Sequence, residues 1–307
     1  MHCVIVGFSY QQSDKNISPY LIEGPSIIIE SRSKPLCDVP PIQKGNQPTD
    51  GGNLIIEADE YEDFITREPL AEPYIKRLVG AVEFINSLDR YCLWLVDIKP
   101  ADLRKMPLVM ERVEKCRQMR LNSSDAATRR LADTPTRFRE TYNPESYLVI
   151  PEVSSENRRY IPIGFLDAST ICTNKVQIIP NATLYHFGIL VSSVHMAWTR
   201  AVCGRLKSDY QYSKQIVYNN FPWPDATEEQ KAAIEKLAQA VLDARARHPE
   251  SSFADLYDTL AMPPELLKAH RELDKAVMKI YNFRKDATEE EIVANLMERY
   301  QKWIKIS

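Results

Sequence analysis

The sequence lacks any long apolar run, any paired cysteines and all but a few glycines. Of its 307 residues, 9 are glycine and 6 are cysteine, and no two cysteines form a Cys-x-x-Cys pair. No apolar stretch approaches the roughly 18 residues that a membrane-spanning helix needs, and the N-terminus has no cationic start of a secretion signal. We therefore expect a cytoplasmic protein with free thiols that contacts no membrane and holds no zinc cluster.

The sequence also lacks the common catalytic and nucleotide-binding motifs. It has no phosphate-binding Gly-Lys-Ser/Thr turn, no dinucleotide fingerprint and no Gly-x-Ser-x-Gly elbow. The carboxylates of "EADEYED" at 57–63 fit a solvated turn, and "NNFPWP" at 219–224 lacks the consecutive prolines with which adenine methyltransferases hold a flipped base. His186 and His195 fit core or surface positions better than metal ligation. These absences predict a chain with no catalytic site, metal or cofactor of its own.

Apolar residues are nevertheless sufficient for ordinary cores, and the pattern changes near residue 224. Hydrophobic residues make up 44% of the sequence. Strand-like and helical segments alternate as far as the Phe-Pro-Trp-Pro stretch at 221–224, whereas 225–307 is helical throughout, with capping-box spacings at Thr227 and Thr288. We predict an α+β protein, in which a mixed α/β domain is followed by a small all-α helical domain.

Apolar periodicity predicts individual elements of the mixed domain. The spacing of Ile75, Leu78, Val82 and Ile85 predicts a helix within "EPYIKRLVGAVEFINS", and "RYCLWLVDI" is typical of a buried strand. Apolar residues at three- and four-residue steps predict one helix over 183–203.

Positive charge is concentrated in one part of the mixed domain. Eleven Lys/Arg and five Asp/Glu lie between residues 99 and 139, although the whole chain has a net charge of −3. Such a basic stripe is often only a solvated face. Four of its arginines flank turns and suit contacts with phosphate groups, namely Arg129, Arg130, Arg137 and Arg139.

The stretch "GRLKSDYQYS" at 204–213 mixes long polar side chains with apolar ones. Alternate residues of a strand share a face. A single strand would therefore have a polar face and a face packed on 183–203, formed respectively by Arg205, Lys207, Asp209, Gln211 and Ser213, and by Leu206, Ser208, Tyr210 and Tyr212. Lys, Asp and Gln can pair with base edges, so we predict that Lys207, Asp209 and Gln211 read bases and that Arg205 contacts the DNA backbone. The alternative is a solvent-exposed edge strand.

These segments resemble the target-recognition and C-terminal helical regions of the MmeI-like type IIL restriction–modification enzymes, which join nuclease, adenine-N6 methyltransferase and DNA-reading domains in one polypeptide. Ordered blocks carry the resemblance along nearly the whole chain: "HCVIVGF", "ISPYLIEGP", "VPPIQKGNQPTDGGNL", "EFINSLDRYCLWL", "HMAWTRAVCGRL" and "YSKQIVYNNFPWP". The resemblance implies that 1–24 end the methyltransferase domain, that 25–224 form the DNA target-recognition domain and that 225–307 form the C-terminal helical domain.

The resemblance also implies roles for residues and for missing parts. Lys207 and Asp209 match positions that vary together with the base read at one edge of the site, while Gln211 shares another position with Lys175 on the preceding strand. The S-adenosylmethionine loop, the Asn-Pro-Pro-aromatic motif and the nuclease carboxylates are expected upstream of residue 1.

We therefore predict sequence-specific recognition of double-stranded DNA for an adenine-N6 methyltransferase whose domain acts in cis or in trans. The full-length enzyme would use S-adenosylmethionine, and this chain would not be an enzyme on its own. One alternative is a standalone DNA-specificity subunit that recruits a separate catalytic protein. The other is a helical protein-interaction module in which the aromatic strand face is only core.

Overall fold

The structure, a computed structural model, describes residues 17–20 and 26–306. The strand predicted at 1–8 and nearly all of the predicted methyltransferase remnant at 1–24 lie outside the described residues. No helix within the described ranges is long and apolar enough to cross a membrane.

Short strands and helices alternate before residue 224, and only helices follow it. The strands are β1 (Gln43–Lys44), β2 (Ile55–Glu57), β3 (Ile75–Val79), β4 (Arg90–Leu93), β5 (Ser146–Pro151), β6 (Val153–Ser154), β7 (Gly164–Asp167), β8 (Thr170–Cys172), β9 (Val176–Pro180), β10 (Gly204–Leu206) and β11 (Asp209–Gln211). The α-helices are α1 (Tyr61–Arg67), α2 (Ala81–Asn86), α3 (Pro100–Leu103), α4 (Pro107–Leu121), α5 (Ala126–Arg130), α6 (Leu184–Leu190), α7 (Ser193–Val202), α8 (Glu228–Ala246), α9 (Phe253–Leu256), α10 (Pro264–Ile280) and α11 (Glu289–Ile306). The predicted α+β class is confirmed.

The described strands form three small sheets. Their strand orders are β1-β9-β5-β7, β10-β11-β6 and β2-β4-β3-β8. Neighbouring strands are antiparallel, except that β3 and β8 run parallel with Leu78 opposite Ile171. Long segments between these sheets have no regular structure, so their buried backbone groups depend on side chains for hydrogen bonds.

The largest hydrophobic core extends across the Phe-Pro-Trp-Pro stretch. It buries Trp198 and Phe221 together with Ile234, Leu273 and Leu296 from the helices that follow. A second core fills the space between the β2-β4-β3-β8 sheet and α4. The C-terminal helices share the first core with α6 and α7. A change in the packing of one of these regions therefore disturbs the packing of the other.

Both predicted capping boxes are confirmed. The Thr227 hydroxyl accepts the amide of Gln230 at 3.2 Å, and the Gln230 side chain accepts the amide of Thr227 at 2.9 Å. Thr288 and Glu291 make the same reciprocal pair at 3.3 and 3.0 Å. Each pair satisfies two amides that the first turn of a helix leaves without partners.

The helix predicted within 72–87 is wrong for its first half. Residues 75–79 form β3, which hydrogen bonds with β4 on one side and β8 on the other. Gly80 then separates the strand from α2, and its amide donates to the Glu83 carboxylate at 2.8 Å. Hydrogen bonding with a strand on each side stabilises β3 more than the spacing of the apolar residues favours a helix. The buried strand predicted in "RYCLWLVDI" is present as β4.

The single helix predicted over 183–203 is also wrong, because two helices occupy this segment. The first helix, α6, ends at Leu190. The second, α7, begins at Ser193, where the Ser192 hydroxyl accepts the amide of His195 at 3.3 Å. Apolar residues continue through the break, since both helices are buried on several sides. Periodicity alone therefore could not locate it.

Arg120 in α4 is a fully buried cation that the charge count could not distinguish from its exposed neighbours. Its guanidinium donates to five backbone carbonyls between 2.7 and 3.2 Å, those of Pro48, Thr49, Leu131, Thr134 and Arg137. It holds two irregular segments against α4 and belongs to the core.

We expect Arg120→Met to lower the free energy of unfolding by about 3 kcal/mol or more, because it leaves buried carbonyls without donors. Urea unfolding measures this change. Arg117→Met is the matched control on the same helix, where the side chain is about half exposed and its ion pair with Glu114 is long at 3.5 Å. It should change stability by less than about 0.5 kcal/mol. Equal losses in the two variants would contradict the structural role of Arg120.

Candidate nucleic-acid interface

The single strand predicted at 204–213 is a hairpin. β10 and β11 pair antiparallel, and Lys207 and Ser208 form the two-residue turn between them. Lys207 has a φ of 57°, in the left-handed region that such tight hairpin turns require. We call Gly204–Gln211 the 204–211 hairpin.

The hairpin changes which predicted reader residues share a face. Cross-strand partners point to the same side, and they are Arg205 with Tyr210, Leu206 with Asp209, and Gly204 with Gln211. The prediction that Arg205, Lys207, Asp209 and Gln211 line one face is therefore wrong. Asp209 and Gln211 share a face with Leu206, which is 53% exposed and does not pack on the helix. Tyr210 and Tyr212 are buried as predicted.

Arg205 lies against the hairpin itself. Its guanidinium sits 4.2 Å from the centre of the Tyr210 ring and donates to the Ser208 carbonyl at 3.2 Å. A second contact reaches the Arg200 carbonyl at 3.5 Å. Arg205 thus stabilises the turn by a cation–π contact and hydrogen bonds.

The segment that follows β6 was not predicted to belong to the site, yet it holds the hairpin. β11 pairs with β6, placing Tyr210 opposite Ser154. The Asp209 carboxylate accepts the amide of Glu156 at 3.2 Å, and the Tyr210 hydroxyl donates to the Glu156 carbonyl at 3.2 Å. The only sequence signal for this segment is the polar run that starts where the apolar run "YLVIP" ends.

Glu152 joins the hairpin to Lys175. Its amide donates to the Lys175 carbonyl at 3.0 Å, and its carbonyl accepts the amide of Tyr212 at 2.8 Å. Its carboxylate pairs with Lys44 at 2.7 Å. Lys175 is exposed and lies in the turn between β8 and β9, one residue before the start of the strand on which it was predicted. The structure nevertheless brings this turn next to the end of the hairpin that carries Gln211.

Asn46 extends the connection to the arginines. Its fully buried side chain accepts the amide of Tyr142 at 2.7 Å and donates to the Tyr142 carbonyl at 2.8 Å. Its own carbonyl accepts the amide of Asn174, and the adjacent Gln47 carbonyl accepts the amide of Arg139, both at 2.9 Å. Backbone contacts therefore link the Lys175 turn to the end of the basic region.

The four predicted phosphate contacts lie together in residues 125–139, which we call the arginine segment. All four side chains are exposed. Arg129 donates to the Ser123 and Ser124 carbonyls at 2.8 Å each, Arg137 donates to the Val96 carbonyl at 3.2 Å, and Arg139 lies 3.4 Å from Glu140. Exposed contacts of this kind contribute little stability, so the guanidinium groups can exchange them for an anion.

Behind the hairpin, α7 supplies buried polar contacts. The His195 imidazole meets the Tyr212 hydroxyl at 3.0 Å, and the Trp198 indole donates to the Val217 carbonyl at 3.0 Å within a π-helical turn, Lys214–Tyr218. Asn220 in the "NNFPWP" stretch donates to the Glu30 carbonyl at 2.9 Å and is fully buried. This stretch is packed inside the protein.

No group of three His, Cys, Asp or Glu in residues 17–20 and 26–306 is placed to hold a metal ion. Burial raises the pKa of the Cys116 thiol to about 11 and that of Cys172 to about 12, so neither is a thiolate nucleophile near neutral pH. The surface offers donors and acceptors to a partner.

Comparison with known proteins assigns two consecutive parts of the chain to known domains. Residues 23–225 match the family model described as "MmeI, target recognition domain", and residues 226–306 match "MmeI, C-terminal domain". The chain belongs to the MmeI family. The resemblance inferred from the sequence blocks is confirmed.

Two relatives show how much of such proteins the chain represents. It is 43% identical to DNA methyltransferase A of Bacillus subtilis (strain 168). The matched region of 287 residues covers 93% of this chain and 32% of that protein. The chain is 47% identical to the type IIL restriction-modification enzyme MmeI, solved in complex with DNA, with a TM-score of 0.91 over 95% of this chain and 39% of MmeI. The chain thus spans about a third of the length of these relatives.

The buried His195 should make stability depend on pH. Burial lowers its pKa to about 3, whereas an unfolded histidine takes up a proton near pH 6.5. The unfolded state therefore binds more protons between these values, and the free energy of unfolding falls as the pH decreases below about 6.5, by up to about 1.4 kcal/mol per pH unit.

We expect His195→Gln to lose less stability than the parent between about pH 7 and pH 5.5 in urea unfolding, because the variant lacks this proton uptake. His248→Gln is the control, since His248 is only partly buried and pairs with Glu265. An unchanged pH dependence in His195→Gln would show that another group controls it.

Proposed function

We propose that this chain recognises a specific double-stranded DNA sequence for an adenine-N6 methyltransferase of a restriction–modification system. The observation that supports this most directly is the similarity, at a TM-score of 0.91, to an enzyme solved in complex with DNA. The exposed hairpin and the arginine segment offer the two kinds of contact that such a task needs, namely base-edge contacts and phosphate contacts.

The catalytic step in this proposal belongs to a methyltransferase domain in the same polypeptide or in a separate one. S-adenosylmethionine binds that domain, and this chain places the DNA. A standalone specificity subunit would use the same surface, whereas a helical protein-interaction module would leave the exposed hairpin without a role. A protein with the proposed role acts in the cytoplasm, where cellular DNA is accessible.

The 204–211 hairpin is a two-stranded ribbon, a type of element that can read DNA. A two-stranded ribbon fits the major groove, where each base pair presents a distinct set of donors and acceptors. Lys207 at the turn is the donor suited to guanine O6 and N7, and Asp209 is the acceptor suited to the paired cytosine N4. Gln211 and Lys175 lie at the other end of the hairpin and are assigned to a second position.

The arginine segment is assigned to the DNA backbone, where it sets affinity and adds no sequence preference. Arg205 has the same assignment in this proposal, although its guanidinium already stabilises the hairpin turn. A loss of binding in an Arg205 variant would therefore combine two effects. A loss of binding in an Arg130 or Arg139 variant is easier to assign to a lost phosphate contact.

We expect Arg130→Ala or Arg139→Ala to weaken binding equally for all duplexes and to reduce the slope of log K against log salt by about one. Fluorescence anisotropy with two unrelated duplexes at several salt concentrations measures both quantities. Arg271→Ala, an exposed change on α10, is the control and should leave the slope unchanged. A shift in sequence preference would reassign the altered arginine to base reading.

We expect Lys207→Glu combined with Asp209→Arg to reverse a G·C preference to C·G at one position, because the donor and the acceptor exchange places. Each single change should bind worse than the double change, since it leaves like charges or an unpaired group facing the groove. The expected cost is roughly 1–3 kcal/mol per mismatched base pair.

Mapping methylated sites for the complete enzyme, before and after the double change, measures this preference. Lys236→Glu with Asp243→Arg on α8 is the matched charge reversal outside the hairpin and should leave the recognised sequence unchanged. If the hairpin variant keeps the parent sequence at every position, the 204–211 hairpin is not the reader.

A further inference from the structure

The C-terminal helices contact the two elements that support the 204–211 hairpin. These elements are α7, which leads into β10, and the segment Ser155–Tyr160, which follows β6. We call Ser155–Tyr160 the supporting loop. Besides the shared apolar core, two carboxylates on α10 and α11 make polar contacts with these elements. Each carboxylate reaches both elements directly or through one arginine.

Asp274 on α10 makes the first of these connections. Only 7% of the residue is exposed. One carboxylate oxygen accepts the Tyr160 hydroxyl at 2.6 Å, and the other accepts the amide of Ser193 at 2.7 Å. Tyr160 ends the supporting loop and Ser193 is the first residue of α7. One buried carboxylate therefore joins the loop to the start of the helix, where the helix dipole favours a negative charge.

Glu289 on α11 makes the second connection. Its carboxylate pairs with Arg200 in the last turn of α7 at 2.9 Å. The same guanidinium donates to the Arg159 carbonyl at 3.0 Å, in the supporting loop. The loop and α7 are thus tied together at both ends of the helix.

Both elements hold the hairpin directly. α7 ends at Val202, one residue before the hairpin begins, and its His195 side chain contacts Tyr212 just beyond the hairpin at 3.0 Å. The supporting loop donates the Glu156 amide to the Asp209 carboxylate at 3.2 Å. The position of the hairpin therefore depends on how α7 and the loop are held.

The packing around Tyr160 limits its movement. Its ring stacks on His270 at 4.2 Å, and His270 contacts the Tyr257 hydroxyl at 2.8 Å. Arg245 donates to the same hydroxyl and to the Ile163 carbonyl, the latter at 2.6 Å. A connected, buried polar network of this kind fixes geometry more than a set of exposed ion pairs does.

We propose that Asp274 and Glu289 are positioning residues for DNA-sequence discrimination, acting through α7 and the supporting loop on the 204–211 hairpin. This inference rests on the proposed function of the hairpin. Hydrogen bonds to base edges need donors and acceptors placed within roughly 0.5 Å, so a loosened support lowers the difference between right and wrong sequences before it lowers overall binding.

The test compares the parent chain with Tyr160→Phe, Asp274→Asn and Glu289→Gln. The preferred duplex of the parent is first selected from a randomised library. Dissociation constants are then measured for that duplex and for duplexes with one base pair changed, including the pair whose preference depends on Lys207 and Asp209. Glu290→Gln, an exposed neighbour on α11, is the matched control.

We expect the ratio of dissociation constants at the hairpin-read pair to fall roughly threefold in Asp274→Asn and by a smaller factor in the other two variants, because a less firmly held hairpin favours the right base pair less strongly over the wrong one. Affinity for an unrelated duplex and its salt dependence should stay at parent values, because the arginine segment is unchanged. The ratio is insensitive to the folded fraction, since both constants come from one preparation.

Each outcome decides a separate point. Should Asp274→Asn fail to fold, Tyr160→Phe and Glu289→Gln supply the answer, because both keep the size of the side chain. Parent-like ratios in the folded variants, with a clear preference in the parent, would overturn the positioning role alone. A parent chain that binds all duplexes equally would overturn the proposed function, and with it the inference. An equal loss of discrimination in Glu290→Gln would assign the effect to charge on α11 in general.

Discussion

The fold depends on polar side chains that satisfy the buried backbone of irregular segments. Strands are short, and much of the chain before residue 184 runs between them without regular hydrogen bonds. Unpaired carbonyls and amides would be costly in the interior. Arg120, Asn46 and Asn220 supply the missing partners, since each is fully buried and each contacts backbone from two or more separate segments.

The same constraint determines where a DNA-contacting surface can lie. Loops whose backbone is held by buried side chains can present their exposed side chains in fixed positions. The Arg120 side chain does this for the arginine segment through the Leu131, Thr134 and Arg137 carbonyls. The Lys175 turn is held by backbone contacts instead, from the Asn46 carbonyl to the Asn174 amide and from the Glu152 amide to the Lys175 carbonyl. The candidate interface is therefore built on anchored loops.

Sequence patterns correctly predicted the features that depend on residues close together in the sequence. The capping boxes at Thr227 and Thr288, strand β4 and the α+β class follow from residues close in sequence. The hairpin turn does not, because it depends on a positive φ at Lys207 without the glycine or asparagine that usually marks such a turn. The burial of Arg120 depends on acceptors up to 72 positions away in sequence, which periodicity cannot register.

The side chains proposed to contact bases differ from those that hold the hairpin against the core. Tyr210 and, just beyond the hairpin, Tyr212 are buried and anchor it, whereas Lys207 and Gln211 are exposed and contribute nothing to the core. Exchange of exposed groups usually changes stability by less than about 0.5 kcal/mol, so the groups offered to a partner can change while the backbone stays in place. Asp209 is the exception. Its carboxylate shares a face with Gln211 and also accepts the Glu156 amide, so any replacement there alters the support and the reading surface together.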